Sequence, residues 1–175
     1  MMKYLFLFVL GTLLLLVGLA RRWGIYPHRP LLVVMLVPTV LSVWIVFLPQ
    51  IWPAVAAVNA AIALAALVDL ASLGRAGQLS VERRVGLIAS LAQPHHVSLV
   101  ITNRATKEWP VWIRDGLVEG LEAEPNEFSI LLPASRRATI EYQLRALKRG
   151  AFQLETVHFR LRSRLGFWNR YLKLP

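Results

Sequence analysis

The sequence predicts an α-helical transmembrane segment of two to three helices followed by an all-β, Ig-like antiparallel sandwich. Three observations predict it. Charge is segregated, since residues 1–78 hold five Lys/Arg and one Asp while 79–175 hold fifteen and nine. Long apolar runs occupy only the first part, and period-two alternation broken by turn residues occupies only the second. The 175-residue chain is 56% hydrophobic and 17% charged, with mean hydropathy +0.51, against a charged share of about 25% in ordinary soluble domains. That composition excludes a disordered chain and weighs against a fully soluble one.

Within the transmembrane region, 1–73, the runs 4–20, 31–48 and 51–73 contain 17, 18 and 23 residues. At a helical rise of ~1.5 Å per residue they span roughly 25, 27 and 34 Å, which brackets a hydrocarbon core of ~30 Å. Only the third run holds an ionisable group. Asp69 lies near its end, where a carboxylate is expected to reach headgroup water. Pro38 is expected to kink the second helix, and Pro49-Gln50-Ile51-Trp52-Pro53 makes a tight hairpin whose Trp suits the interface. Arg21, Arg22 and Arg29 lie between the first two runs, none lies between the second and third, and Arg75, Arg83 and Arg84 follow the third. The positive-inside rule then puts 21–30 and everything after 73 in the cytoplasm, with the N-terminus and 49–53 outside.

A short connector, 74–78, leads to the cytoplasmic β-sandwich, 79–175. Ile140, Tyr142 and Leu144 alternate with polar neighbours over 139–145, and 97–102 and 128–132 read the same way. Shorter strands are expected at 80–85, 111–114 and 168–174. In 151–162 the apolar phase flips between Leu154 and Val157, which predicts a bulge near Glu155-Thr156. About seven short strands separated by Pro, Asn and Gly turns give the sandwich its Ig-like proportions.

Catalytic and metal chemistry find little purchase. Without cysteine, disulfides and Cys-ligated metal sites are excluded. His95 and His96 are adjacent on an extended chain and point opposite ways, which suits no shared metal. Glu119, Glu122, Glu124 and Glu127 read as a solvated acidic loop. Motifs of serine hydrolases, zinc proteases, phosphate loops and dinucleotide folds are missing, so no enzyme activity, cofactor, catalytic residue or metal ligand is expected.

Cations carry the stronger signal, with a net charge of +10. His158, Arg160, Arg162 and Arg164 share one parity opposite Val157, Phe159 and Leu161, so one strand face is expected to carry a basic row. Arg145, Lys148 and Arg149 stand just upstream and complete the candidate interaction surface. Single-stranded nucleic acid needs aromatics interleaved on that face, and Phe159 lies on the other, so nucleic acid is not an expected partner. Anionic lipid and an acidic protein are the two polyanions left.

Several stretches resemble a known family. A hairpin closed by Leu67-Val68-Asp69-Leu70, then Ser80-Val81-Glu82-Arg83-Arg84, then Val97-Ser98-Leu99-Val100-Ile101-Thr102-Asn103-Arg104, is similar to the region ahead of the core module in bacterial membrane proteins of domain-of-unknown-function family 58. Leu147-Lys148-Arg149-Gly150-Ala151-Phe152 and Ser163-Arg164-Leu165-Gly166-Phe167-Trp168 resemble that family's Arg-Gly-aromatic and Pro-Leu-Gly-Leu-aromatic elements, with Arg164 where a Pro is common. The resemblance covers about 31–175 and gives Gly150, Phe152, Leu165, Gly166 and Phe167 structural roles. It implies a chain that continues into a von Willebrand A-like module, so the sequence is expected to be a fragment or a shortened form; no Asp-x-Ser-x-Ser occurs in it. It further implies a bacterial inner-membrane adaptor or scaffold in complex with a MoxR-type AAA+ ATPase and other membrane subunits. An accessory subunit or small-ligand receptor of a membrane enzyme, and an anionic-lipid binding module, are the alternatives.

Overall fold

The structure is a computed structural model that describes residues 14, 16–86 and 91–175. The chain divides into two units: Met1–Leu73 with Arg162–Arg170, and Gly74–Leu161 with Tyr171–Pro175. The segment 162–170, expected to belong wholly to the sandwich, thus groups with the helices.

In the first unit, residues 16–23 are helical; most of the expected first span, 4–13 and 15, lies outside the described residues. Gly24, at φ +63°, takes the left-handed conformation that ends this helix, and its N–H donates to Ala20 O at 3.1 Å. The chain then enters β1 (Ile25–Pro27), which pairs antiparallel with the start of β9 (Trp168–Leu174) through Ile25↔Arg170 and Pro27↔Trp168. Helix α1 (Arg29–Trp44) follows, with a proline in its first turn, where the missing N–H is harmless. It stops four residues short of the apolar run it comes from, because Pro49 disfavours helical geometry at Leu48, whose φ and ψ are −131° and 77°. Its 16 residues give about 24 Å. Pro38 stays inside it. A single 3₁₀ turn, Pro49–Ile51, leads into α2 (Trp52–Ala71), and α1 packs on α2. Among the described residues one helix, Pro49–Ala71, is long and apolar enough to cross a membrane, by length and composition. Leu19, Ile25, Leu31, Ala66, Leu73 and Trp168 form this unit's core, with Leu70 and Phe167 against it.

The second unit is a β-sandwich of two antiparallel sheets. One has the order β2 (Leu79–Val85), β3 (Pro94–Asn103), β7 (Arg137–Ala146), β5 (Leu121–Glu124); in the other, β4 (Trp109–Asp115) lies between β6 (Glu127–Leu132) and β8 (Val157–Arg162). Alternate residues point into a shared core built on Val97, Leu99, Ile101, Val111, Ile113, Tyr142, Leu144, Phe159 and Leu161. Two expectations are corrected. The acidic stretch is not all loop: Leu121 and Ala123 pack against the core, which draws 121–124 into a strand and leaves Glu122 and Glu124 on its outer side. The phase flip near 155 is not a bulge within one strand. Residues 147–156 carry the chain from β7 in one sheet to β8 in the other, so the inward side reverses on the way.

One buried polar cluster ties the two sheets. Asp115 ends β4, and its side chain is 1% exposed. Arg83 of β2 grips it with two bonds, Nη2 to Oδ1 at 2.5 Å and Nε to Oδ2 at 3.3 Å, and turns Nη1 to Leu154 O in the crossover. Tyr142 of β7 donates its hydroxyl to Asp115 Oδ2. A buried carboxylate with a bidentate guanidinium and a phenol keeps its charge compensated. Burial, together with the hydrogen bond to Asp115 and the charge there, pushes the Tyr142 phenol well above its ordinary 10.0.

Removing Arg83 leaves Asp115 buried without a counter-charge, so Arg83→Ala is expected to cost about 3–5 kcal/mol in denaturant melts. Tyr142→Phe, which deletes one donor, is expected to cost ~1 kcal/mol. A raised folded-state value means that the neutral Tyr142 contributes stability fully present below pH ~10 and lost as the pH rises past it. Melts at successive alkaline pH values check this: the wild type should weaken above about pH 10 more steeply than Tyr142→Phe, and parallel curves would refute it.

Candidate functional site

Two arrangements stand out, and the sequence reading anticipated neither in full. The first surrounds Asp69. This carboxylate sits in the last turn of α2, the negative end of the helix dipole, where an anion is disfavoured unless donors compensate it. It is 2% exposed. Ser163 Oγ donates to Oδ2 at 2.6 Å, Leu165 N to Oδ1 at 2.7 Å and Phe167 N to Oδ2 at 3.0 Å, with Ser72 Oγ at 3.3 Å from Oδ1. Ser72 Oγ also accepts from Arg164 N at 3.0 Å, Ser163 Oγ accepts from Trp168 N at 2.9 Å, and Trp168 Nε1 donates to Ala66 O at 2.8 Å. Gly166, at φ +78°, lets the turn curl so that the amides on either side face one carboxylate. The expected interfacial Asp is therefore a buried acceptor, because the turn that follows β8 supplies better partners than water does.

That turn also corrects the expected basic row. His158, Arg160 and Arg162 lie on alternate positions of β8, but the strand ends at Arg162. Ser163 turns inward to Asp69, so Arg164 falls in the turn with its backbone tied to Ser72 and its side chain exposed. Leu165 is exposed beside it, while Phe167 packs on the first unit's core.

The remaining candidates do not join them. Arg145 sits on β7 in the other sheet, directly opposite Glu122 of β5. Lys148 pairs with Glu119 at 2.8 Å on an exposed surface, and Arg149 and Gly150 are exposed in the crossover. Phe152 is half-buried there, close enough to Gly120 that a Cβ at that glycine would stand 3.2 Å from its ring. Arg145 and Lys148 thus have acidic neighbours of their own, Glu122 and Glu119, away from β8. His95 and His96 are successive residues of β3, the first half-buried and the second exposed. Among the described residues no group of three or more His, Asp or Glu is placed to hold a metal ion.

The second arrangement is on the outer side of β8. Arg160 stands directly across from Trp112 of β4, with its guanidinium carbon 4.8 Å from the ring centroid. An open groove of about 340 Å³ beside it is lined by Trp112, Arg114, Asn126, His158 and Tyr171, and by Asp115, whose carboxylate is already held by Arg83 and Tyr142. Parity along β8 alone showed no aromatic on the basic face. Trp112 reaches it from the neighbouring strand, and its parity with Arg114, opposite to that of the buried Val111 and Ile113, was the available signal.

No family model matches the chain, and no curated protein matches it. Among solved structures it is similar to a FixG-related protein from Vibrio parahaemolyticus at 13% identity and a TM-score of 0.34, over 59% of this chain and 94% of that one. A likeness that slight bears on neither fold nor function.

Removing the Asp69 carboxylate orphans two amides and a hydroxyl in one place, at ~1–3 kcal/mol for each group left unpaired. Asp69→Ala is expected to speed amide hydrogen exchange at Leu165 and Phe167 by tenfold or more and to open the Arg164 bond to trypsin. Unchanged protection at both amides would refute the role given to Asp69.

Proposed function

We propose that the protein is a membrane-anchored, non-catalytic adaptor whose β-sandwich stands on the cytoplasmic side of a bacterial inner membrane. The observation that carries the reading is the surface of the α1–α2 hairpin. Leu32, Leu36, Val40, Val43, Leu64, Leu67 and Val68 are each more than half exposed, an apolar surface that water does not tolerate and a bilayer favours. Its polar side chains bond to their own helices: Thr39 to Met35 O, Ser42 to Pro38 O and Asn59 to Val55 O, at 2.8, 2.7 and 2.9 Å. Internal satisfaction of this kind is what a hydrocarbon environment demands. Two or three spans fit this reading, with α1 as a short one and residues 4–20 as the first.

Adaptor function is supported by the family resemblance. The two stretches that quote it most clearly, Leu67–Leu70 and Ser163–Trp168, are the two sides of the Asp69 contact. The resemblance supplies a MoxR-type AAA+ ATPase as the expected partner, and the orientation follows from Arg21, Arg22 and Arg29 before α1 and Arg75, Arg83 and Arg84 after α2, with no Lys or Arg in the 49–53 loop between them.

The absence of cysteine makes topology directly measurable with single substitutions at two exposed positions. In intact cells an impermeant maleimide should label Gln50→Cys and leave Gln93→Cys untouched; the opposite pattern reverses the orientation. Crosslinking in native membranes followed by mild-detergent purification should recover an AAA+ ATPase, and its repeated absence from the captured proteins would remove the adaptor reading.

A further inference from the structure

The outer face around β8 gathers side chains that lie far apart in the sequence. Trp112 and Arg114 come from β4, His158 and Arg160 from β8, Tyr171 from β9 and Asn126 from the turn before β6. Leu172 and Leu174 of β9 pack inward, which places Tyr171 on this outer side. Arg160 is half-buried, with its guanidinium carbon over the indole of Trp112. A guanidinium held over an aromatic face by cation–π attraction keeps N–H donors available for a carboxylate. Arg83, Arg84, Arg114 and Lys148 each pair with a carboxylate, and Arg160 takes part in none of these pairs. Arg114 reaches Glu127 only at 3.8 Å, with both side chains about half exposed, a pair an incoming anion readily displaces.

We propose that this groove binds the carboxylates of an acidic, extended peptide segment, with Arg160 as the anchoring residue and Arg114 and His158 flanking it. Charge complementarity argues for an anion, and the planar, pre-positioned fork argues for a bidentate one. The groove crosses three strands at ~4.8 Å spacing, which is the length of about three or four extended residues. Nucleic acid fits poorly, because a base needs the indole face that Arg160 covers. A bilayer surface fits poorly too, since it meets the tips of protruding cations, and Arg160 is recessed beside the groove. The inference deepens the adaptor reading and rests on it for the partner's being a protein.

The test uses the full chain in nanodiscs of uncharged phosphatidylcholine and a short fluorescein-labelled peptide of alternating alanine and glutamate, read by anisotropy. Saturable binding is expected, weakened about tenfold or more by Arg160→Lys and by Trp112→Leu, and changed less than about twofold by Arg149→Ala. Arg160→Lys keeps the charge and removes only the stacked fork, so its loss separates the site from general basicity. Phosphatidylserine vesicles should not displace the peptide. Wild-type binding by Arg160→Lys, equal losses at Arg149 and Arg160, absence of binding, or displacement by the vesicles would each overturn the proposal. Peptide binding that depends on Arg160, together with failure to recover any ATPase from membranes, would leave this site standing and remove the adaptor reading alone.

Discussion

A carboxylate at the end of an apolar helix has few places to go, and Asp69 takes the one that needs no water. Ser163, Leu165 and Phe167 supply three donors within 3.0 Å, and Ser72 buttresses both sides of the contact. A charge in a low-dielectric setting is tolerable only when its lone pairs are filled, so the turn after β8 must take this one shape around it. The shape has consequences down the chain. It ends β8 at Arg162, takes Arg164 off the strand, brings Trp168 over Ala66, and groups 162–170 with the helices.

The sandwich uses the same solution for its own buried acid. Asp115 is satisfied by Arg83 and Tyr142, drawn from two strands of the opposite sheet, and by no apolar neighbour. Sheet-to-sheet packing is otherwise a matter of interdigitating Val, Leu, Ile and Phe, which tolerates sliding better than a bidentate ion pair does. Polar clusters of this kind fix which strand faces which. Arg83 also holds Leu154 O, so the crossover that reverses the apolar phase is pinned to the same point.

Charge on the sandwich surface is mostly local. Glu119 meets Lys148, Glu122 faces Arg145 and Glu127 lies by Arg114, pairs that are exposed, salt-screened and individually weak. Arg160 differs because an aromatic ring, and no acid, holds it. That difference separates a fork prepared for a ligand from cations that only keep a surface solvated.

Periodicity by itself determined a good part of this protein. Alternation over 139–145 marked β7, the last strand over 168–174 was read at its observed limits, and the apolar content of 51–73 marked α2. These features are local: side-chain direction repeats every two or 3.6 residues, so a short window of sequence contains it. Strand β5 escaped that window because four residues with two glutamates carry too little alternation to be told from a loop. Tertiary structure alone decided the rest. Asp69 and Ser163 are 94 residues apart, Arg83 and Asp115 are 32 apart, and Arg160 meets Trp112 only because β8 and β4 are neighbours in one sheet. No spacing rule links such pairs, since their distance is set by which strands pair and where the chain changes sheets. The residues showed an acid at the end of an apolar run and cations on one parity of a strand, and only the folded chain buried the one and set an indole against the other.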